Sequence, residues 1–207
     1  MQLITINQNI LGQNIYLYFD EASKEGVIID PGDSADIIET TLKEHNIKVK
    51  GILLTHSHYD HITSAIEIRA LTKADIYCHV LERPMLEDPE YNLSVRFTRR
   101  LEVSPDKVFA DGDEFPIGET TLKVIHTPGH TPGGLCYYDK KNRLIFTGDT
   151  LFHNSIGRSD FPYGEYDVLI ASIKQRLFTL PDYVKIYPGH GGSSTIGDEK
   201  TSNPFVK

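Results

Sequence analysis

Four side chains able to hold a metal ion fall within six consecutive positions of this chain: His56, His58, Asp60 and His61, in the run Thr55-His56-Ser57-His58-Tyr59-Asp60-His61. A helix repeats a face every 3.6 residues and a strand every second residue, so neither points all four the same way. The run is therefore expected to be a loop. Three more candidates stand further on: His130 in Thr127-Pro128-Gly129-His130-Thr131-Pro132-Gly133, Asp149 in Phe146-Thr147-Gly148-Asp149-Thr150, and His190 in Tyr187-Pro188-Gly189-His190-Gly191. Each follows an apolar stretch and adjoins a glycine, the pattern of a buried strand giving way to irregular backbone. A single histidine is more often a surface group or a satisfied core residue than a ligand, and that reading holds for His45 and His153. A cluster is different. Imidazoles and carboxylates withdrawn together from water repel or neutralise one another unless a cation binds them. Mixed nitrogen and oxygen donors suit divalent ions, zinc first, with iron or manganese also accommodated.

The surrounding sequence supplies the elements that must hold these residues in place. Short β-branched or aromatic runs at 3–6, 15–19 and 26–29 predict strands, separated by Gly12-Gln13-Asn14 and Pro31-Gly32. Asp33 or Ser34 is placed to cap a helix of about a dozen residues with Ile38 and Leu42 on one face. Gly51-Ile52-Leu53-Leu54-Thr55 is an unbroken apolar run, as in a strand covered on both faces, and it ends in the histidine cluster. A helix over 62–71 and a strand around Ile76 follow. Residues 81–104, charged and interrupted by Pro84 and Pro89, give no clear pattern. Strands are expected again at 120–125, 134–138, 143–147 and 184–187. Leu169, Ile173 and Leu177 predict a helix over 164–180, stopped by Pro181. With no repeat, low-complexity tract or linker, residues 1–207 read as one domain of two sheets covered by helices.

Composition narrows the partner. A balance of 21 Lys+Arg against 29 Asp+Glu gives a net charge of −8, the opposite of the basic footprint that phosphate binding leaves. A small-molecule substrate is expected, and no nucleic acid. The first basic residue is Lys24, and no run approaches membrane-spanning length; the expectation is a cytoplasmic protein with no membrane partner. Cys78 and Cys136 lie in strand-like runs and read as packed thiols.

Together, His56-x-His58-x-Asp60-His61 and the later Gly-His, Gly-Asp and Gly-His pairs resemble the metallo-β-lactamase superfamily, from about Asp30 to His190. The resemblance implies an α/β (α+β) fold: a four-layer αββα sandwich of two mixed sheets flanked by helices, with metals in a groove between the sheet edges. It implies that His56, His58 and His130 hold one ion, that Asp60, His61 and His190 hold a second, and that Asp149 bridges them. Asp30, in Ile29-Asp30-Pro31-Gly32, matches a family turn residue, and a buried acid of this kind commonly orients a ligand histidine. His79 and His126 are expected to pack nearby without ligating. Two such ions, ~3.5–4 Å apart, bring the pKa of a shared water toward neutrality. Asp60 and Asp149 would then be the catalytic acids that orient that water and take its proton. No Gly-x-Ser-x-Gly elbow offers a serine route.

Within the superfamily, lactam-cleaving members usually lack the acid that Asp149 supplies, and oxygen-reducing di-iron members carry glutamate where this chain has His58. The acidic balance counts against RNA-processing members. Gly157-Arg158-Ser159-Asp160-Phe161-Pro162, with Thr195-x-Gly197-x-Glu199 and Asn203-Pro204, is most similar to the small glyoxalase II-like hydrolases. That likeness implies hydrolysis of a thioester of the S-acylglutathione type. Larger members have cysteine where this chain has Ile156 and continue into a glutathione-binding helical domain, whereas 17 residues follow His190 here; glutathione recognition is left open. The alternative is a mononuclear iron persulfide dioxygenase using His56, His130 and Asp149 as a two-histidine, one-carboxylate triad. A non-catalytic metal-binding module ranks below both. For substrate contacts the candidates are Arg158, either a carboxylate contact or an ion-pair partner, and Tyr59, Tyr163 and Tyr166 along the groove.

Overall fold

The computed structural model describes residues 1–7, 11–97 and 99–206. In chain order these lay down β1 (Gln2–Ile6), β2 (Ile15–Phe19), β3 (Glu25–Ile29), α1 (Ala35–His45), β4 (Lys48–Leu53), α2 (Tyr59–Ile62), α3 (Ala65–Thr72), β5 (Ile76–His79), α4 (Arg83–Leu86) and β6 (Lys107–Phe109). Then come β7 (Glu114–Ile117), β8 (Thr120–His126), β9 (Leu135–Asp139), β10 (Leu144–Gly148) and the short hairpin of β11 (Leu151–Phe152) and β12 (Ser155–Ile156). The chain closes with α5 (Tyr166–Ser172), β13 (Lys185–Pro188), β14 (Ser194–Thr195) and α6 (Ile196–Ser202).

The strands form two six-stranded mixed sheets, ordered β1-β2-β3-β4-β5-β6 and β14-β13-β10-β9-β8-β7. In the first, β1 to β3 are antiparallel and β3 to β6 parallel. Parallel neighbours need crossover connections, and α1 and the α2–α3 pair supply two of them. In the second, β7 to β10 form an antiparallel meander, and β13 returns parallel to β10 after the chain has passed through α5.

Side-chain alternation along the strands builds the layers. In β2 and β3, Leu17 and Ile28 face a core shared with Ile38 and Leu42 of α1 and Ile68 of α3, while Tyr16, Tyr18, Val27 and Ile29 face the other sheet. There they meet Val124, Tyr137 and Phe146. The alternate residues Ile125, Cys136, Tyr138 and Ile145 turn outward beneath Leu169, Ile173 and Leu177. Three cores thus separate four layers, αββα, as the resemblance implied. Cover on both faces is why β2, β9 and β10 are buried at every position. Both cysteines are free and buried.

Two local features depart from expectation, and a third lies in the stretch that gave no clear pattern. The helix expected over 62–71 is two helices, because the Ser64 N–H bonds the Pro31 carbonyl at 2.9 Å instead of continuing the α2 ladder. The later helix starts at Tyr166, not 164, and widens into a π turn over Ile173–Leu177 that keeps both residues buried. The described residues of 81–104 hold the short α4 and a 3₁₀ turn at Ser94–Arg96 joined by irregular, pinned backbone. The Asn92 amide donates to the carbonyls of Leu86 (3.2 Å) and Leu101 (2.8 Å), while Leu86, Leu101 and Val103 fill the core beneath. Among the described residues no helix is long and apolar enough to cross a membrane.

Candidate metal centre

The seven candidate ligands sit where strands of both sheets end. β4 stops at Leu53, and the loop through His56 and His58 leads into α2, which carries Asp60 and His61 in its single turn. β8, β10 and β13 run out toward His130, Asp149 and His190. Gly148 takes φ of 48°, a left-handed turn that brings the backbone so close to Thr55 that a Cβ there would strike the threonine side chain. Residues outside the cluster hold the loops in place. The Asn14 amide donates to the carbonyls of Pro188 (3.0 Å) and Gly191 (2.9 Å), and the Tyr16 hydroxyl donates to Pro188 at 2.6 Å, fixing the His190 loop from the opposite sheet. The buried Glu82 carboxylate accepts from the Gly133 N–H at 2.8 Å and fixes the His130 loop.

Hydrogen bonds at the far side of each ring decide what faces the centre. His130 Nδ1 lies 2.6 Å from the Arg158 carbonyl, which only accepts, so Nδ1 carries the proton and Nε2 presents a lone pair. The Thr55 hydroxyl donates to Asp30 at 2.6 Å and so accepts from His56 Nδ1 at 3.0 Å; His56 Nε2 is likewise a lone pair. These two Nε2 atoms face one another at 3.2 Å, and His58 Nδ1 lies 2.9 Å from the same His130 Nε2. The His56 and His130 lone pairs, this close, repel unless a cation sits between them.

The second triad is built the same way. Asp30 receives His61 Nδ1–H at 2.8 Å, which turns His61 Nε2 toward Asp149 Oδ1 (3.4 Å) and Asp60 Oδ2 (3.8 Å). His190 places Nε2 3.0 Å from Asp60 and Nδ1 3.0 Å from Asp149 Oδ1. The other Asp149 oxygen lies 3.7 Å from His130 Nε2, so this carboxylate reaches both triads. The donor atoms of His56, His58 and His130 lie within 4.8 Å of one another, as do those of Asp60, His61 and His190. Asp30 meets the same distance test with His56 and His61. Its oxygens, however, are committed to the Thr55 N–H (2.7 Å), the Thr55 hydroxyl and His61, which makes it an orienting acid.

The donor set fits divalent metal. The Nε2 atom of His61, aimed at Asp60 and Asp149, is buried without a hydrogen-bond partner, a costly state that a cation at this triad relieves. Burial, then the neighbouring imidazoles, hold His56 well below the ordinary histidine range and bring His58 down to about 3. Both therefore stay neutral donors. Burial also disfavours protonating His61 and His190, but the Asp149 and Asp60 carboxylates override it, holding His61 well above its usual value and lifting His190 to about 9. Burial would raise Asp149; His61 and His190 hold it well below the carboxylate range. In one half of the cluster the His56 and His130 lone pairs thus face each other, and in the other carboxylates are held together by charge that a metal can replace.

A cleft of about 440 Å³ opens over the cluster, with Tyr59, Arg96, Phe97, Phe152, Arg158 and Phe161 in its wall. Tyr59 lines it as expected, stacked on Phe97 at 4.3 Å. Arg158 also lines it, clamped to Asp160 by bonds of 2.9 and 2.8 Å, so of its two readings the ion-pair partner is the one seen. Tyr163 and Tyr166 are not in this wall: Tyr163 is exposed against Tyr91, and the Tyr166 hydroxyl reaches toward the Phe205 carbonyl. His79 and His126 stack on each other at 4.0 Å, outside both triads; His153 pairs with Glu199, and His45 packs near Phe19. Asn14, Thr55, Glu82, Arg96 and Phe161 carry parts of the site that the motifs did not assign. Thr55 and Phe161 lie in the histidine-cluster and 157–162 motifs and Asn14 in the Gly12-Gln13-Asn14 turn, whereas Glu82 and Arg96 carried no sequence signal.

An αββα sandwich with two such triads joined by a shared carboxylate defines a class of metal-dependent hydrolases. The chain belongs to the metallo-beta-lactamase superfamily, whose family model matches residues 9–190. Among relatives it is 36% identical to "Hydroxyacylglutathione hydrolase GloC" of Haemophilus influenzae over 197 residues, covering 94% of this chain and 92% of that protein. Among solved structures it is similar to BLEG-1, described as a B3 metallo-beta-lactamase, at 38% identity and a TM-score of 0.94 over 100% of both chains. It is also similar to TTHA1623, solved in a di-iron-bound form, at 32% identity and a TM-score of 0.85, covering 98% of this chain and 99% of that one.

Proposed function

We propose that this protein is a binuclear metal-dependent thioester hydrolase acting on S-acylglutathione-type substrates. The observation that carries the reading is the placement of Asp149, with one oxygen toward His130 and the other toward His61 and His190. In this reading His56, His58 and His130 hold one ion, Asp60, His61 and His190 hold the other, and Asp149 belongs to both. When bound, a pair of divalent ions supplies Lewis acidity and makes water nucleophilic near neutral pH. Asp60 and Asp149 orient the attacking water, and Asp60 takes its proton. Water adds across the C–S bond: the acyl carbon gains the hydroxyl, and the departing sulfur gains the proton. Tyr59, Phe97 and Phe161 keep the cleft apolar around the reacting carbonyl. The likeness to GloC supports the thioester class.

A second reading, β-lactam hydrolysis, is favoured by the likeness to BLEG-1. One experiment separates the two. Metal-loaded protein is offered S-D-lactoylglutathione and a chromogenic cephalosporin in parallel, with kcat/KM measured for each. The proposal expects thioester turnover at least a hundredfold the more efficient. Preference for the cephalosporin would replace it with the lactam reading. One equivalent of iron, with oxygen uptake on a persulfide and no hydrolysis, would replace it with the dioxygenase.

A further inference from the structure

The mouth of the metal cleft carries two arginines whose charges differ in availability. Both guanidiniums lie over the ring of Phe161, Arg158 at 4.2 Å and Arg96 at 5.5 Å from its centroid. Arg158 is held in a two-pronged pair with Asp160, the geometry that saturates a carboxylate and fixes the fork. Two further arginines of the segment that carries Arg96 are also committed, Arg99 to Glu67 at 2.6 Å and Arg100 to Glu90 at 3.2 Å. Arg96 is exposed and, among the described residues, faces no carboxylate at ion-pair distance. An unpaired cation is thus displayed at the entrance of a cleft in a chain of net charge −8.

The backbone that displays it is built for position. Arg96 ends the single 3₁₀ turn Ser94–Arg96, entered through Leu93 at φ of 66°, a left-handed conformation that costs a leucine energy and persists only where its surroundings enforce it. The enforcement is visible. Leu93 is buried, the Ser94 N–H donates to the Asn92 side chain at 2.9 Å, and the Ser94 hydroxyl accepts from the Leu101 N–H at 2.9 Å. One ring separates Arg96 from the metal cluster, since Phe161 stands edge-on to His58 with centroids 5.4 Å apart. The Tyr59–Phe97 stack gives the span between them an apolar side.

We infer that Arg96 is the anion-recognition residue of this cleft, selecting substrates that carry a carboxylate on the far end from the carbon attacked at the metal centre. The inference rests on the hydrolase reading and deepens it. The two ring contacts, 5.4 Å from His58 to Phe161 and 5.5 Å from Phe161 to Arg96, keep Arg96 within about three residues' length of His58, at ~3.4 Å each. Arg158, with its charge neutralised by Asp160, supplies the fixed stacking surface on which Phe161 and the spacer rest. Arg96 supplies the charge.

The test uses binding, so that it does not depend on turnover. Calorimetry on the metal-loaded protein compares S-hexylglutathione, an inert thioether with free carboxylates, with its dimethyl ester, in the parent, Arg96→Gln and Arg96→Lys. A charge-assisted arginine–carboxylate contact predicts that Arg96→Gln binds the diacid about tenfold or more weakly. The dimethyl ester should bind parent and variant alike, and Arg96→Lys should recover most of the loss. Equal diacid affinity in parent and Arg96→Gln, or a parent that binds diacid and ester equally, overturns the inference. Arg96-dependent binding without any thioester cleavage would leave the anion site standing and remove the hydrolase reading. Cleavage without Arg96 dependence would do the reverse.

Discussion

Replacing Asp30 with Asn changes one oxygen to an NH₂ group and should disturb both metal positions without touching a ligand. Asp30 accepts three hydrogen bonds, from the Thr55 N–H (2.7 Å), the Thr55 hydroxyl (2.6 Å) and His61 Nδ1–H (2.8 Å). In Asp30→Asn the amide oxygen must stay on the Thr55 N–H, because a backbone donor needs an acceptor. The NH₂ then faces Thr55 Oγ1 and His61 Nδ1, where only acceptors are tolerated. His61 must move its proton to Nε2, the atom aimed at Asp60 and Asp149. The Thr55 hydroxyl, now receiving, is free to donate to His56 Nδ1, which moves that ring's proton to Nε2 as well. Loss of an orienting partner typically costs 10–100-fold in metal affinity, or about 1.4–2.8 kcal/mol at each position. The backbone should hold, since the φ of 52° at Asp30 is one that Asn adopts as readily as Asp. The assay is a metal titration against a chromogenic chelator. Asp30→Asn should weaken both sites, and Thr55→Val, which removes the relay to His56 but leaves Asp30 on His61, should weaken one. Parent-like affinity for both ions in Asp30→Asn would refute the tautomer reasoning.

Other consequences are simpler to read. Burial pushes the Cys136 thiol up to about 11 and the Cys78 thiol up to about 12, so both are protonated at pH 8. A maleimide should label neither in the folded protein at that pH and both in denaturant; rapid labelling without unfolding would contradict their packing. A Cβ on Gly189 would overlap Asp149 Oδ1 and crowd His61. Gly189→Ala should therefore cost about 1–3 kcal/mol, seen as a Tm lower by about 2–12 °C, and lose metal at the Asp60–His61–His190 position. An unchanged Tm and metal content would count against the close approach.

The layers were legible because alternation survives burial on both faces. The run at 15–19 announced a strand, the run at 51–55 a strand covered on both faces, and Ile38 with Leu42 marked the face of α1. The candidate ligands were legible because each stands where such a run ends beside a glycine or within the His56–His61 cluster. What stayed hidden depends on partners distant in sequence. Asn14 reads as a turn residue, and only the fold brings it to the carbonyls around His190. Glu82 and Arg96 lie in 81–104, whose shape comes from Asn92 bridging Leu86 and Leu101, a long-range tie with no periodic signature. The break between α2 and α3 has the same origin, the Ser64 bond to Pro31. Tyr163, expected along the groove, has a left-handed φ of 68° and a ring that packs on Tyr91 outside the cleft wall.

Asp149 is the residue proposed to join the two metal positions. The most direct measurement is the metal content of the parent and of Asp149→Ala, loaded and desalted side by side and read by inductively coupled plasma mass spectrometry, with circular dichroism to verify the fold. Two equivalents per chain are expected in the parent, one or fewer in the variant, with an unchanged spectrum and loss of nearly all hydrolysis. Two equivalents retained in Asp149→Ala, or a single equivalent in a fully active parent, would contradict that role.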